Sequence, residues 1–353
     1  MSNSTANSTL LAPENMPDES NQFVPEKWFT DQLQAYKYHT TEIDVLKNYR
    51  DKRLTATEAA YLFTRPLTIE PASDHRRSLM RNELHIVMSL LVCALCEWPL
   101  ARTPDLIDFL QAFESLQDGP HESMVHGNKG LECKDLPYLD PIWRNDYCWE
   151  VPGCVAEIYY QHPERRNHEI AQYLKKQDVW AQLVAAGFFT STDAYLRVLW
   201  ALEQRPELND TMHLYDRIIP ELHVPAAASW IRTMGRTFYE DAINGRMLDN
   251  FAMLKPPSQK MALKCDHMCK DRWAFWEKRF TEFANGAAGE DELIKKEANA
   301  AVEHMQAVVK AWELENEHGK RHNEYVSKEA KAAVEHMQAV VKAWEMENES
   351  IAG

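Results

Sequence analysis

The stretch EANAAVEHMQAVVKAWELENE at residues 297–317 returns as EAKAAVEHMQAVVKAWEMENE at residues 329–349. Nineteen of these 21 positions are identical at an offset of 32. Each copy carries an apolar seam: Ile294, Ala298, Ala301, Met305, Val308 and Trp312 in the first, and Val326, Ala330, Ala333, Met337, Val340 and Trp344 in the second. The spacing alternates four and three residues, which is how a helix presents one stripe to a partner helix. The tail therefore reads as a duplicated helix. His318-Gly319-Lys320 separates the copies and reads as the turn of an antiparallel hairpin. Two copies do not make a solenoid, which needs three or more units. The bland expectation is that one seam packs in the body and the other is surplus. The sharper one assigns the surplus seam to another helix, in a second copy of this protein or in a different partner, because an exposed stripe of Val, Met and Trp attracts cover.

Upstream, the pattern stays helical. A first helix is predicted from Glu26 to Tyr49, and Thr55-Ala56-Thr57-Glu58 is a capping box that opens a second, stopped by Pro66. Asp74 starts a long helix whose stretch Leu84 to Leu95 is apolar nearly all round, hence central and buried. Thr103-Pro104 reads as an N-cap followed by proline at the first helical position. Residues 117–163 are punctuated by glycine and proline and read as a long loop pinned by Trp143, Tyr147 and Trp149. Helices resume at Arg165 to Ala186, with Gly187 as a C-cap, and at Thr192 to Gln204. Another is expected from Pro225 to Met234, ending at Gly235 with a new helix after it. From Asp266 to Ala284, Trp273, Trp276, Phe280 and Phe283 fall on one helical face. No segment alternates as a strand does. The fold is read as all-α, an irregular multi-helix bundle with a long ordered loop and a C-terminal helical repeat pair. The expected organisation is a disordered segment at 1–24, a helical core at 25–317 and an appended helix at 318–353.

The formal net charge of −15, with lysines and arginines only in isolated pairs, argues against a nucleic-acid or anionic-membrane partner. Eleven tryptophans favour a real hydrophobic core. The polar N-terminus lacks a basic start and an apolar stretch, and the seven cysteines are odd in number. Reduced thiols in a cytoplasmic protein, with the nucleus as alternative, are the expectation.

Chemistry is thin. Cys93-x-x-Cys96 lies in the apolar helix and reads as core. Cys265-x-His267-x-Cys269 is the best metal candidate, yet His267 would face away from both thiols on a helix and no fourth ligand is in view. His121, His126, Cys133, Cys148 and Cys154 are irregularly spaced in the loop. His168-Glu169-Ile170-Ala171-Gln172 has Gln172 where a zincin motif needs its second His. No phosphate loop, nucleophile elbow or dinucleotide fingerprint is present, so no catalytic residue and no cofactor is assigned.

LTATEAAYLF from Leu54, DLPYL at Asp135 to Leu139 with Trp143 after it, VPAAASWIRTMG from Val224 to Gly235 and RWAFWEKRF from Arg272 to Phe280 occur in that order. The series, spanning Leu54 to Trp312, resembles a fungal-restricted family of helical proteins of unknown function. The resemblance implies a fungal source and an all-helical fold, and it supplies no catalytic residues. The functional expectation is a non-catalytic interaction or scaffold protein, working through a groove or the C-terminal seam. The alternative is a small-molecule binder or accessory enzyme of fungal secondary metabolism with a pocket at 117–163.

Overall fold

The computed structural model describes residues 24–36, 40–64, 74–116, 136, 139–144, 161–190, 192–203, 219–248, 265–287, 289 and 291–352. Among them the chain is all-helical. The one strand-like contact is an isolated antiparallel bridge between Met247 and His267, closed by Leu248 N–H to the Asp266 carbonyl at 2.9 Å and Met268 N–H to the Arg246 carbonyl at 2.8 Å.

Among the described residues eleven α-helices follow one another: α1 Glu26–Tyr36, α2 Thr40–Arg50, α3 Ala56–Thr64, α4 Asp74–Glu97, α5 Thr103–Glu114, α6 Leu139–Ile142, α7 Arg166–Ala185, α8 Thr192–Glu203, α9 Pro220–Asn244, α10 Lys270–Ala284 and α11 Glu292–Ala352. The stretch expected as one helix from Glu26 to Tyr49 is two. The second begins at Thr40-Thr41-Glu42, where two β-branched residues of poor helix propensity are followed by an acid in the first turn.

Local chemistry explains several ends. In the capping box the Thr55 N–H donates to Glu58 Oε2 at 2.8 Å, and the Glu58 N–H donates to Thr55 Oγ1 at 3.2 Å. Two donors that the helix leaves orphaned are thereby satisfied. Thr103 is the first residue of α5 and caps nothing; the chain enters through a 3₁₀ turn, Leu100–Arg102, which already supplies the helical geometry. Gly187, at φ +93°, closes α7: the Phe188 N–H reaches the Leu183 carbonyl and the Gly187 N–H that of Val184, both at 3.0 Å.

The apolar run in α4 is buried as expected, Val87, Met88 and Leu90 to Cys96 all being at or below 4% exposure. One hydrophobic cluster runs from Val24 in the N-terminal helices to Met305 in α11. Helices α2, α3 and α5 pack together beside α4, and α4 and α5 meet α7. In the C-terminal half α9 is the hub, touching α7, α8, α10 and α11. Trp143 is fully buried, edge-on to Trp180 at 6.5 Å, and Trp180 is edge-on to Trp230 at 5.9 Å. Part of the 117–163 stretch is thus pinned, while Tyr147 and Trp149 lie outside the described residues.

Two expectations fail at glycines. Helix α9 does not start at Pro225 or stop at Gly235; it is continuous from Pro220 to Asn244 and ends at Gly245, at φ +68°. Helix α11 does not turn at His318-Gly319-Lys320; it is one helix of 61 residues. A glycine inside a helix costs only about 1 kcal/mol relative to alanine, too little to break a helix flanked by good formers.

Candidate functional site

The first repeat copy explains what the tail sequence is built to touch. Its seam lies over α9 and α10: Ile294, Ala298, Ala301 and Met305 are at or below 2% exposure, and Val308 and Trp312 are half-buried against the same core. Small residues let the helices approach. A Cβ at Gly235 would sit 3.1 Å from the His304 ring, tighter than an ordinary contact, so a side chain there would push the ring away by a few tenths of an ångström. This is why the glycine interrupts an otherwise apolar helix.

Polar contacts fix the register. Arg232 donates to Glu297 at 2.5 Å, and Arg236 forks onto both carboxylate oxygens of Glu315 at 2.8 and 2.7 Å. Two parallel bonds from a planar guanidinium demand one orientation of the carboxylate, so the pair specifies position even though it is about half exposed and adds little stability. The hydrogen bond from Arg236 lowers the Glu315 pKa. Gln306 donates to Glu277 of α10 at 3.0 Å. The Trp312 ring stands edge-on to Tyr239 at 5.8 Å, and Tyr239 in turn meets Trp273 at 5.3 Å. Burial, with Arg232 nearby, lowers the pKa of His304 and keeps the ring neutral against Gly235.

The second copy has no such cover at the positions described. Ala330 is exposed, Met337 is 58% exposed and Val334 beside it is 47% exposed. In the first copy Ala298 and Met305, their counterparts at the 32-residue offset, are fully buried. The same sequence thus occupies two opposite environments. The side chains of Val326, Ala333, Val340 and Trp344 lie outside the described residues; the backbone places all four on α11.

The cysteine and histidine candidates have a structural setting. Arg272, fully buried, donates to Glu203 at 2.8 and 3.3 Å, to the Cys265 carbonyl at 2.8 Å and to the His267 carbonyl. Trp276 Nε1 adds a bond to Glu203 at 2.7 Å. The pair staples the chain entering α10 onto the end of α8. Burial raises the Cys265 thiol pKa, and His267 sits 3.3 Å from Asp266. Among the described residues no group of three His, Cys, Asp or Glu side chains could hold a metal ion. Cys93 and Cys96 are buried in α4. His121, His126, Cys133, Cys148 and Cys154 lie outside the described residues. No helix among the described residues is long and apolar enough to cross a membrane.

Sequence reasoning found the seam and missed its receptor. Arg232, Arg236 and Tyr239 follow the small-residue run Ala226-Ala227-Ala228, and with Gly235 they form the wall that α11 meets. The available signal was that this glycine sits in a helix with good formers on both sides.

Residues 89–280, more than half of the chain, match a family described as protein of unknown function, DUF3632. No curated protein matches the chain, and no solved structure does. The matched span runs from within α4 to Phe280 in α10, taking in the whole of α9 and most of α10, the two helices that receive the first copy.

Proposed function

The chain belongs to the DUF3632 family of proteins of unknown function, and from that premise we propose that it is a non-catalytic interaction protein whose docking element is the second repeat copy. One observation carries the reading: Ala298 and Met305 are buried in copy one, while their counterparts Ala330 and Met337 are exposed in copy two, on a continuous helix. The exposed Val334 and Met337 lie on a preformed helix, so a partner would be met without the entropy of ordering that segment. The partner chemistry that fits is another helical surface with small residues at its centre, because Ala330 and Ala333 stand where Ala298 and Ala301 permit close approach in copy one. A fungal source and a cytoplasmic location are part of the same proposal; they rest on the motif resemblance and on the reading of the thiols as reduced.

The test is stability after truncation. A chain ending at Glu317 keeps every first-copy contact with α9 and α10 described above, so its melting temperature should stay within about 2 °C of the full chain at low micromolar concentration. A fall of about 5 °C or more would mean that the second copy stabilises the body itself, and the docking reading would be lost.

A further inference from the structure

We propose that the second repeat copy docks in the α9–α10 groove of a second copy of this chain, taking the place that the first copy holds there. The inference rests on the docking reading above and names its partner. The side chains with which residues 297–317 meet the groove recur 32 residues on, and buried Ile294 just before them is matched by Val326. Glu329 repeats Glu297, His336 repeats His304, Gln338 repeats Gln306, Trp344 repeats Trp312 and Glu347 repeats Glu315. The two positions at which the 21-residue copies differ, Asn299 against Lys331 and Leu314 against Met346, are exposed in copy one and lie outside its buried seam. The groove of this protein is therefore a surface already shaped and charged for the free seam. Once the resident copy is displaced, Arg232 and Arg236 would pair with Glu329 and Glu347, Gly235 would face His336, and Tyr239 would meet Trp344.

Continuity of α11 decides in favour of another chain's groove. Copy two sits about 48 Å beyond copy one along the helix axis, at 1.5 Å per residue. It cannot reach its own groove without breaking that helix, whereas a second molecule's groove is reachable with the helix whole. The incoming copy must displace the resident one, and both offer nearly the same contacts. The resident copy is tethered to α10 through residues 285–291, which gives it an effective concentration in the millimolar range. Monomers therefore dominate at low micromolar concentration. Exchanged dimers grow as the chain is concentrated, and they take over when the resident copy is weakened.

The experiment weakens it. Met305 is fully buried, so Met305→Asp places a charge in the apolar seam and expels copy one. In the full chain, M305D should be a dimer by light scattering at about 50 μM with a melting temperature near that of the parent, because copy two of each molecule fills the other's groove. M305D/M337D should be monomeric and less stable, and M337D alone monomeric and as stable as the parent. Geometry is checked by mixing full-length M305D carrying Glu277→Cys with full-length chain carrying Gln338→Cys. Mild oxidation should give a covalent heterodimer, since Glu277 and Gln338 would take the places of Glu277 and Gln306. Adding M337D to the second chain should abolish it. A monomeric M305D overturns the proposal, whether its stability is kept, as when copy two folds back on its own groove, or lost. A heterodimer that never forms, or that M337D leaves undiminished, overturns it as well. None of these failures touches the docking reading itself, which the truncation at Glu317 decides separately.

Discussion

At the scale of single residues, two side chains and one missing side chain set the geometry. Gly235 lets α11 lie against α9, and its nearest neighbour is the His304 ring at 3.1 Å from a hypothetical Cβ. Gly235→Leu should wedge the two helices apart and lower unfolding free energy by about 1–3 kcal/mol, read from the urea midpoint. An unchanged midpoint would mean that the contact is looser than the geometry implies. His223 is the second case. It is buried in the first turns of α9, its Nδ1 3.0 Å from the Ile219 N–H, and burial lowers its pKa to about 4. A histidine held neutral in the fold and free to protonate when unfolded stabilises fully above its unfolded pKa of about 6.5. That contribution is lost as pH falls through the window from about 6.5 to 4. His223→Asn keeps an acceptor for the Ile219 N–H without the titration, so it should flatten the loss of stability between those pH values relative to the parent. Parallel pH curves for the two proteins would refute the assignment. Glu203 with Arg272 is the last residue-scale feature, and it was invisible in sequence because the partners are 69 positions apart.

Among the helices, what could be read from sequence was what is local. The capping box at Thr55–Glu58, the αL glycine at Gly187 and the aromatic stripe of α10 follow from neighbouring residues, and each is found as read. The three departures share one cause. Gly235, Gly319 and Pro225 were read as punctuation, yet each sits inside a helix. Packing favours glycine at 235: the His304 ring would crowd any larger residue there, while local propensity carries only about 1 kcal/mol against glycine. The seam of copy one was legible because a 4–3 spacing needs no knowledge of the partner. Its receptor on α9 was not, since Arg232, Arg236 and Tyr239 acquire meaning only when α11 lies over them.

At the scale of the whole molecule, the larger hydrophobic cluster reaches Trp312 of the first copy among the described residues, and the helix continues beyond it. The first copy completes the core, through Met305 and the Trp312 contact with Tyr239. The second carries the same residues beyond it. A protein arranged this way holds, in one chain, both a groove and a second helical segment of nearly identical sequence to the one the groove contains.

Amide hydrogen exchange tests that contrast most directly, because sequences this similar have nearly the same intrinsic exchange rates and any difference reports tertiary cover. At low micromolar concentration, residues 297–315 should exchange with the slow rates of the core and residues 329–347 faster by about a hundredfold or more, as for a helix without packing support. Equal, core-like protection of the two copies under those conditions would contradict the account, since it would mean that the second seam is already buried within the monomer.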